Sequence, residues 1–193
     1  MLRTVTFSIV LMVVGCVYGY AQDGIDHGPT GTLNLDYFNP RGNAHIKWLI
    51  NDMNRAHLQP AIRNIGAGRL KNAKDDLNYI LIRFINHPQA LALAALVAIA
   101  SKDSTWAMQH YERALNLYPQ YALTHAQYGK YMADIDMVDR GLEKLKKAAE
   151  MDPNLAATHV WLAAAYAKSG NAELAQEAAE KARSLGYKGN LPQ

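Results

Sequence analysis

From residue 43 onward, apolar positions recur at helical spacing. Ile46, Leu49, Ile50 and Met53 stand at i, i+3, i+4 and i+7, one face of a helix that Asn43 is placed to cap. Pro60 suits the first turn of a separate short helix carrying Ala61, Ile62 and Ile65, which Gly66-Ala67-Gly68 ends. Leu77, Ile80, Leu81, Phe84 and Ile85 form a third stripe, halted by Asn86-His87-Pro88. Upstream the pattern is lost. Gly24, Gly28, Pro29, Gly31 and Pro40 interrupt residues 22–42, an irregular lead-in whose apolar portion is the string Leu-Asn-Leu-Asp-Tyr-Phe at 33–38.

Beyond Pro88 the pattern repeats. Pro119 and Pro153 lie 34 residues apart, each just after a helix end and just before a new apolar run. In a register of 88–121, 122–155 and 156–189, Leu91, His125 and His159 share position 4, and Ala95, Gly129 and Ala163 share position 8. Ala107, Gly141 and Ala175 share position 20, Tyr111, Leu145 and Ala179 position 24, and Ala114, Ala148 and Ala182 position 27. Small residues recur where two helices cross closely, and large ones where a gap is to be filled. Proline at the joint blocks continuation of the second helix and biases the preceding residue out of the helical region.

This period and these positions resemble the tetratricopeptide-repeat family. The resemblance covers 88–189 and extends in degenerate form over about 57–87, where Ala73 and Asn86-His87-Pro88 echo the pattern. It implies an all-α fold, a right-handed superhelical stack of helical hairpins, with three repeats, a degenerate helical pair within 43–87 and a short tail at 190–193. Leu91, His125 and His159 stand where the family has a large aromatic. At position 11 Tyr166 is typical, whereas Ala98 and Met132 are not. The lead-in and the joint also resemble those of small exported bacterial members of the family.

The resemblance further implies that positions 2, 5, 9, 12 and 13 line a concave groove. They are Gln89, Ala92, Leu96, Ile99 and Ala100 in the first repeat, Leu123, Ala126, Lys130, Ala133 and Asp134 in the second, and Ala157, Val160, Ala164, Ala167 and Lys168 in the third. The basic-and-asparagine clamp that such grooves use for a terminal carboxylate is missing, because Ala126 and Lys130 occupy its positions. The expected groove is small and apolar, with Leu96, Ile99, Leu123 and Val160 as one strip covered by a partner or by the chain's own lead-in.

Composition narrows the function. The chain has 193 residues, half of them hydrophobic, with 20 basic and 17 acidic side chains. That near balance lacks the basic patch of a nucleic-acid binder, and Lys144, Lys146 and Lys147 read as a solvated helix face. Residues 1–21 read as an export signal: Arg3, an apolar run, and a small-residue site ending at Ala21. Val13-Val14-Gly15-Cys16 also fits a lipoprotein box, in which Cys16 would be lipidated and hold the chain at a membrane. Cleavage after Ala21 instead leaves a periplasmic or secreted chain with no cysteine and hence no disulfide.

No phosphate loop, paired-cysteine metal site or zinc-protease motif is present. His125 and His159, at equivalent positions, read as packing residues, His87 as a helix cap, and Asp75, Asp76, Asp134 and Asp136 as capping or solvated carboxylates. The sequence therefore predicts a non-catalytic scaffold of the cell envelope, without metal or cofactor, that binds a protein partner or pairs with its own copies. The alternative is an assembly or transport accessory that transiently holds exported client peptides.

Overall fold

The computed structural model describes residues 35–39 and 44–191. The export signal with Cys16, most of the lead-in, Asn43 and the last two residues lie outside them. The chain divides into two compact units, Met1–Arg113 and Ala114–Gln193.

In the first unit, α1 (Ala44–Met53) leads through a π-helical stretch (Asn54–Leu58) into α2 (Gln59–Gly66). α3 (Leu70–Leu81), α4 (Pro88–Ser101) and most of α5 (Ser104–Leu117) follow. The two separate helices expected on either side of Pro60 are joined, since Met53 and Leu58 both keep right-handed helical backbone. Pro60 has no N–H, and in a regular helix its ring would strike the carbonyl four residues back. A wider turn, closed by Gln59 N–H donating to the Asn54 carbonyl, takes up the proline without ending the helix. α4 is apolar nearly all round, and Leu91, Ala94, Val97 and Ala98 are fully buried. Tyr111 crosses to it and donates from its hydroxyl to the Leu91 carbonyl at 3.1 Å.

The second unit holds α6 (Ala122–Asp134), α7 (Val138–Met151), α8 (Ala156–Lys168) and α9 (Ala172–Ser184). α6 and α7 meet backbone to backbone. A Cβ on Gly141 would lie 2.6 Å from the Gly129 carbonyl oxygen, and one on Gly129 would lie 2.7 Å from the Gly141 carbonyl oxygen. Only glycine fits both positions, which is why positions 8 and 20 carry it together in this repeat. In the α8–α9 pair the same positions hold Ala163 and Ala175, both buried. The outward side of α9 is polar, with Glu173, Gln176, Glu177 and Glu180 exposed.

The hairpin turns carry the period in their backbone. Gly68, Lys102, Asp136 and Gly170 stand 34 residues apart, and all four have positive φ, from 56° to 80°. After each, the next residue's N–H reaches back to the helix: Arg69 to Asn64, Asp103 to Ala98, Met137 to Met132 and Asn171 to Tyr166, at 2.8–2.9 Å. Each left-handed residue donates to the carbonyl three residues before it, which completes a Schellman cap. The α2–α3 hairpin therefore ends its first helix as the three later hairpins do.

Candidate partner-binding site

The inner-helix positions expected to form a groove differ sharply in accessibility. In the first unit Gln89, Ala92 and Leu96 are half-buried, and Ile99 is 41% exposed beside exposed Ala100. In the second unit Leu123, Ala126, Ala133, Ala157 and Val160 are buried. Lys130 is half-buried, and Asp134, Ala164, Ala167 and Lys168 are exposed. The expected apolar strip is thus corrected: Leu123 and Val160 already belong to the core and present no open apolar surface. Their small neighbours let the helices approach closely enough to enclose them. What remains open on α8 is a shelf of two alanines ending at a lysine.

Charge at that shelf is held in place. Lys168 donates to the Ala133 carbonyl at 2.7 Å and pairs with Asp136 at 2.6 Å, tying the last turn of α8 to the α6–α7 turn. Ala133 is in the last turn of α6, where carbonyls lack helical partners, so a lysine there is favourable. Lys130 and Asp134 pair one helical turn apart on α6. Asp134 and Asp136 thus act as ion-pair partners rather than caps.

Five of the described histidines, His57, His87, His110, His125 and His159, act as caps or braces. His125 Nε2 donates to the Pro119 carbonyl and His159 Nε2 to the Pro153 carbonyl, each at 2.9 Å, so position 4 fastens the start of one hairpin to the joint before it. Burial holds His125 below the usual imidazole range, consistent with a neutral donor. His87 caps α4: its Nδ1 accepts from Ala90 N–H at 3.2 Å, and its Nε2 donates to Asn54 Oδ1 at 3.1 Å. Complete burial pushes it down to about 3. His110 and Trp106 both donate to Asn78 Oδ1 at 3.0 Å, and burial takes His110 down to about 4. His57 donates to Asp76, which also accepts from Asn64, so this carboxylate too is a buttress between helices. Among the described residues, no group of three histidine, cysteine or acidic side chains is placed to hold a metal ion.

The described lead-in, residues 35–39, lies on the α3–α4 joint. Leu35 N–H donates to the Arg83 carbonyl at 2.6 Å, and Tyr37 N–H donates to Asn86 Oδ1 at 2.8 Å. Sequence reasoning named Asn86 only as part of the joint that halts the helix, and it did not single out Asn54. A buried asparagine at a helix joint has no periodic signature, and the partners of Asn86 lie 49 and 50 residues away.

Hairpins of this geometry recur in solved structures. A structure described as that of YrrB, a tetratricopeptide-repeat protein with an unusual peptide-binding site, superposes with a TM-score of 0.52 over 73% of this chain and 81% of that one, at 20% identity. The fold is that of the tetratricopeptide repeat. Two structures of MamA match this repeat protein with TM-scores of 0.51. They share 18% and 16% identity with it, over 72% and 76% of this chain and 83% of theirs. No family model and no curated protein matches the sequence.

Proposed function

We propose that this tetratricopeptide-repeat protein is a non-catalytic scaffold of the bacterial cell envelope, and that it holds a partner's peptide segment on the inner-helix face. The observation that carries this reading is the α8 shelf. Ala164 and Ala167 are exposed at positions where short side chains let a peptide backbone approach, and Lys168 fixes a charge at their end. Exposed alanines favour the helix but bury little surface, so packing against the repeat does not call for this shape. The similar structure of YrrB is described as having a peptide-binding site, which agrees with that use of the fold. His87, His125 and His159 are taken up by caps and joints, and His57 with Asp76 braces neighbouring helices, which supports a non-catalytic reading.

The groove read from the sequence as apolar becomes a small, charge-edged surface in the second unit, with Ile99 as an apolar position in the first. Ala164→Arg combined with Ala167→Glu should abolish co-purification of an envelope partner while leaving the melting temperature within a degree or two. Retention of every partner by that variant sinks the reading. Export is tested separately by mass spectrometry of the mature chain. A start at Gln22 supports a soluble envelope protein, and a lipidated Cys16 supports a membrane-held one.

A further inference from the structure

Asn86 and His87 are fully buried polar residues at the α3–α4 joint, and they spend their hydrogen bonds differently. His87 is satisfied by the repeat itself, through Ala90 and Asn54. Asn86 turns its carboxamide to the lead-in: Oδ1 accepts the Tyr37 N–H, and Nδ2 donates to Asp36 Oδ1 at 2.6 Å. One side chain thereby reads a backbone amide and a carboxylate on adjacent residues of an extended segment. The Arg83 carbonyl takes the Leu35 N–H, in a single parallel bridge between Leu35 and Phe84. The Tyr37 ring packs on the His87 ring at 4.4 Å between centroids. The segment is shaped for this role, because Phe38 N–H donates to Asp36 Oδ1 in a tight local turn. Leu35, Asp36, Tyr37 and Phe38 are only half-buried, whereas the joint beneath them is closed.

We propose that this joint is a second peptide-binding site, separate from the inner-helix face. It takes an extended segment with an aspartate followed by an aromatic residue, and here Leu35–Phe38 of the same chain fills it. Chain connectivity supplies the occupant at high local concentration, so a free peptide competes poorly until the resident segment is weakened. The site offers a ligand the Arg83 carbonyl, the Asn86 carboxamide and the His87 imidazole face, all carried on the repeat.

The test uses the full chain and a dye-labelled peptide of sequence LNLDYFNP, the string at 33–40. The Asp36→Ala/Tyr37→Ala chain should bind the peptide at least about tenfold more tightly than the unaltered chain, as release of a tethered competitor requires. Adding Asn86→Ala should remove that binding. Equal binding to both chains, no binding to the weakened one, or binding indifferent to Asn86→Ala overturns the proposal. So does unfolding of the Asp36→Ala/Tyr37→Ala chain, since the segment would then be part of the core. Hydrogen exchange on the unaltered chain decides independently. The amides of Leu35 and Tyr37 should exchange at least about tenfold faster than that of Leu91, through local release. Exchange at the rate of Leu91 means that the segment leaves only on global unfolding, and contradicts a separable occupant.

Discussion

Replacing Gly141 by alanine adds one methyl group at the α6–α7 crossing. Two effects oppose each other. Alanine in a helix interior is favoured over glycine by about 0.8–1 kcal/mol, so an unobstructed site would gain stability. Here the new Cβ meets the Gly129 carbonyl oxygen at 2.6 Å, the Ala133 backbone nitrogen at 2.9 Å and the Ala133 Cβ at 3.2 Å. The two nearest are backbone atoms of a packed helix, so no rotamer change relieves them. The helices must part instead, against a core that includes Leu145 and Ala148, both fully buried. Overpacking of this kind costs about 1–3 kcal/mol and outweighs the propensity gain; Gly141→Leu should cost more. Urea denaturation should therefore show Gly141→Ala to be less stable by up to about 2 kcal/mol. Gly66→Ala is the control, because a Cβ there meets nothing within 4 Å and should be neutral or stabilising. Gly129→Ala should behave like Gly141→Ala, and the double variant should lose less than the sum, since the first substitution already parts the helices. A Gly141→Ala chain more stable than the unaltered one refutes the close crossing, because propensity alone predicts that sign.

Other outcomes follow from the turns and the histidines. Lys102 and Asp136 hold left-handed backbone that glycine adopts freely at Gly68 and Gly170. Lys102→Gly should therefore raise stability by about 0.5–1 kcal/mol and Gly170→Ala lower it by about 1 kcal/mol, both read from thermal melts. His87 and His110 have folded pKa values depressed to about 3 and about 4, against about 6.5 in the unfolded chain. Above pH 6.5 neither state takes up the proton. Below it the unfolded state binds it first, so stability should fall as pH drops from about 6.5 towards 4. At pH 5.5 each histidine should account for a loss on the order of 1.4 kcal/mol, measured by denaturant titration across pH. A His87→Asn variant should lose its share of that slope between pH 6.5 and 4, and an unchanged slope contradicts the burial argument. His159→Phe keeps a flat ring but removes the bond to the Pro153 carbonyl, and should lower stability by about 0.5–1.5 kcal/mol.

The repeat was legible because its signals are short-range and recur: Pro119 and Pro153 at the joints, and small residues where helices cross. The backbone signature of the first hairpin was present too, since three periods back from Gly170 lies Gly68. Lys102 and Asp136 concealed it by taking up left-handed backbone without being glycine. Pro60 misled for a physical reason. A proline ends a regular helix, but a widened turn takes it up, and nothing in residue order distinguishes the two. Leu123 and Val160 were placed on the groove by position alone, and whether a side chain is open or enclosed depends on how closely alanine-rich helices pack. The role of Asn86 was illegible because it depends on a segment about fifty residues upstream.

On the proposed function, the inner-helix face of α8 carries the partner. A photo-crosslinking amino acid at Ala164, with another at Glu177 on the polar side of α9 as reference, tests it in the native envelope. One discrete crosslinked product is expected from position 164, lost when Lys168→Glu reverses the charge at the end of the shelf, and none from position 177. Products from 177 but not from 164 would contradict it and move the binding surface to the outer helices.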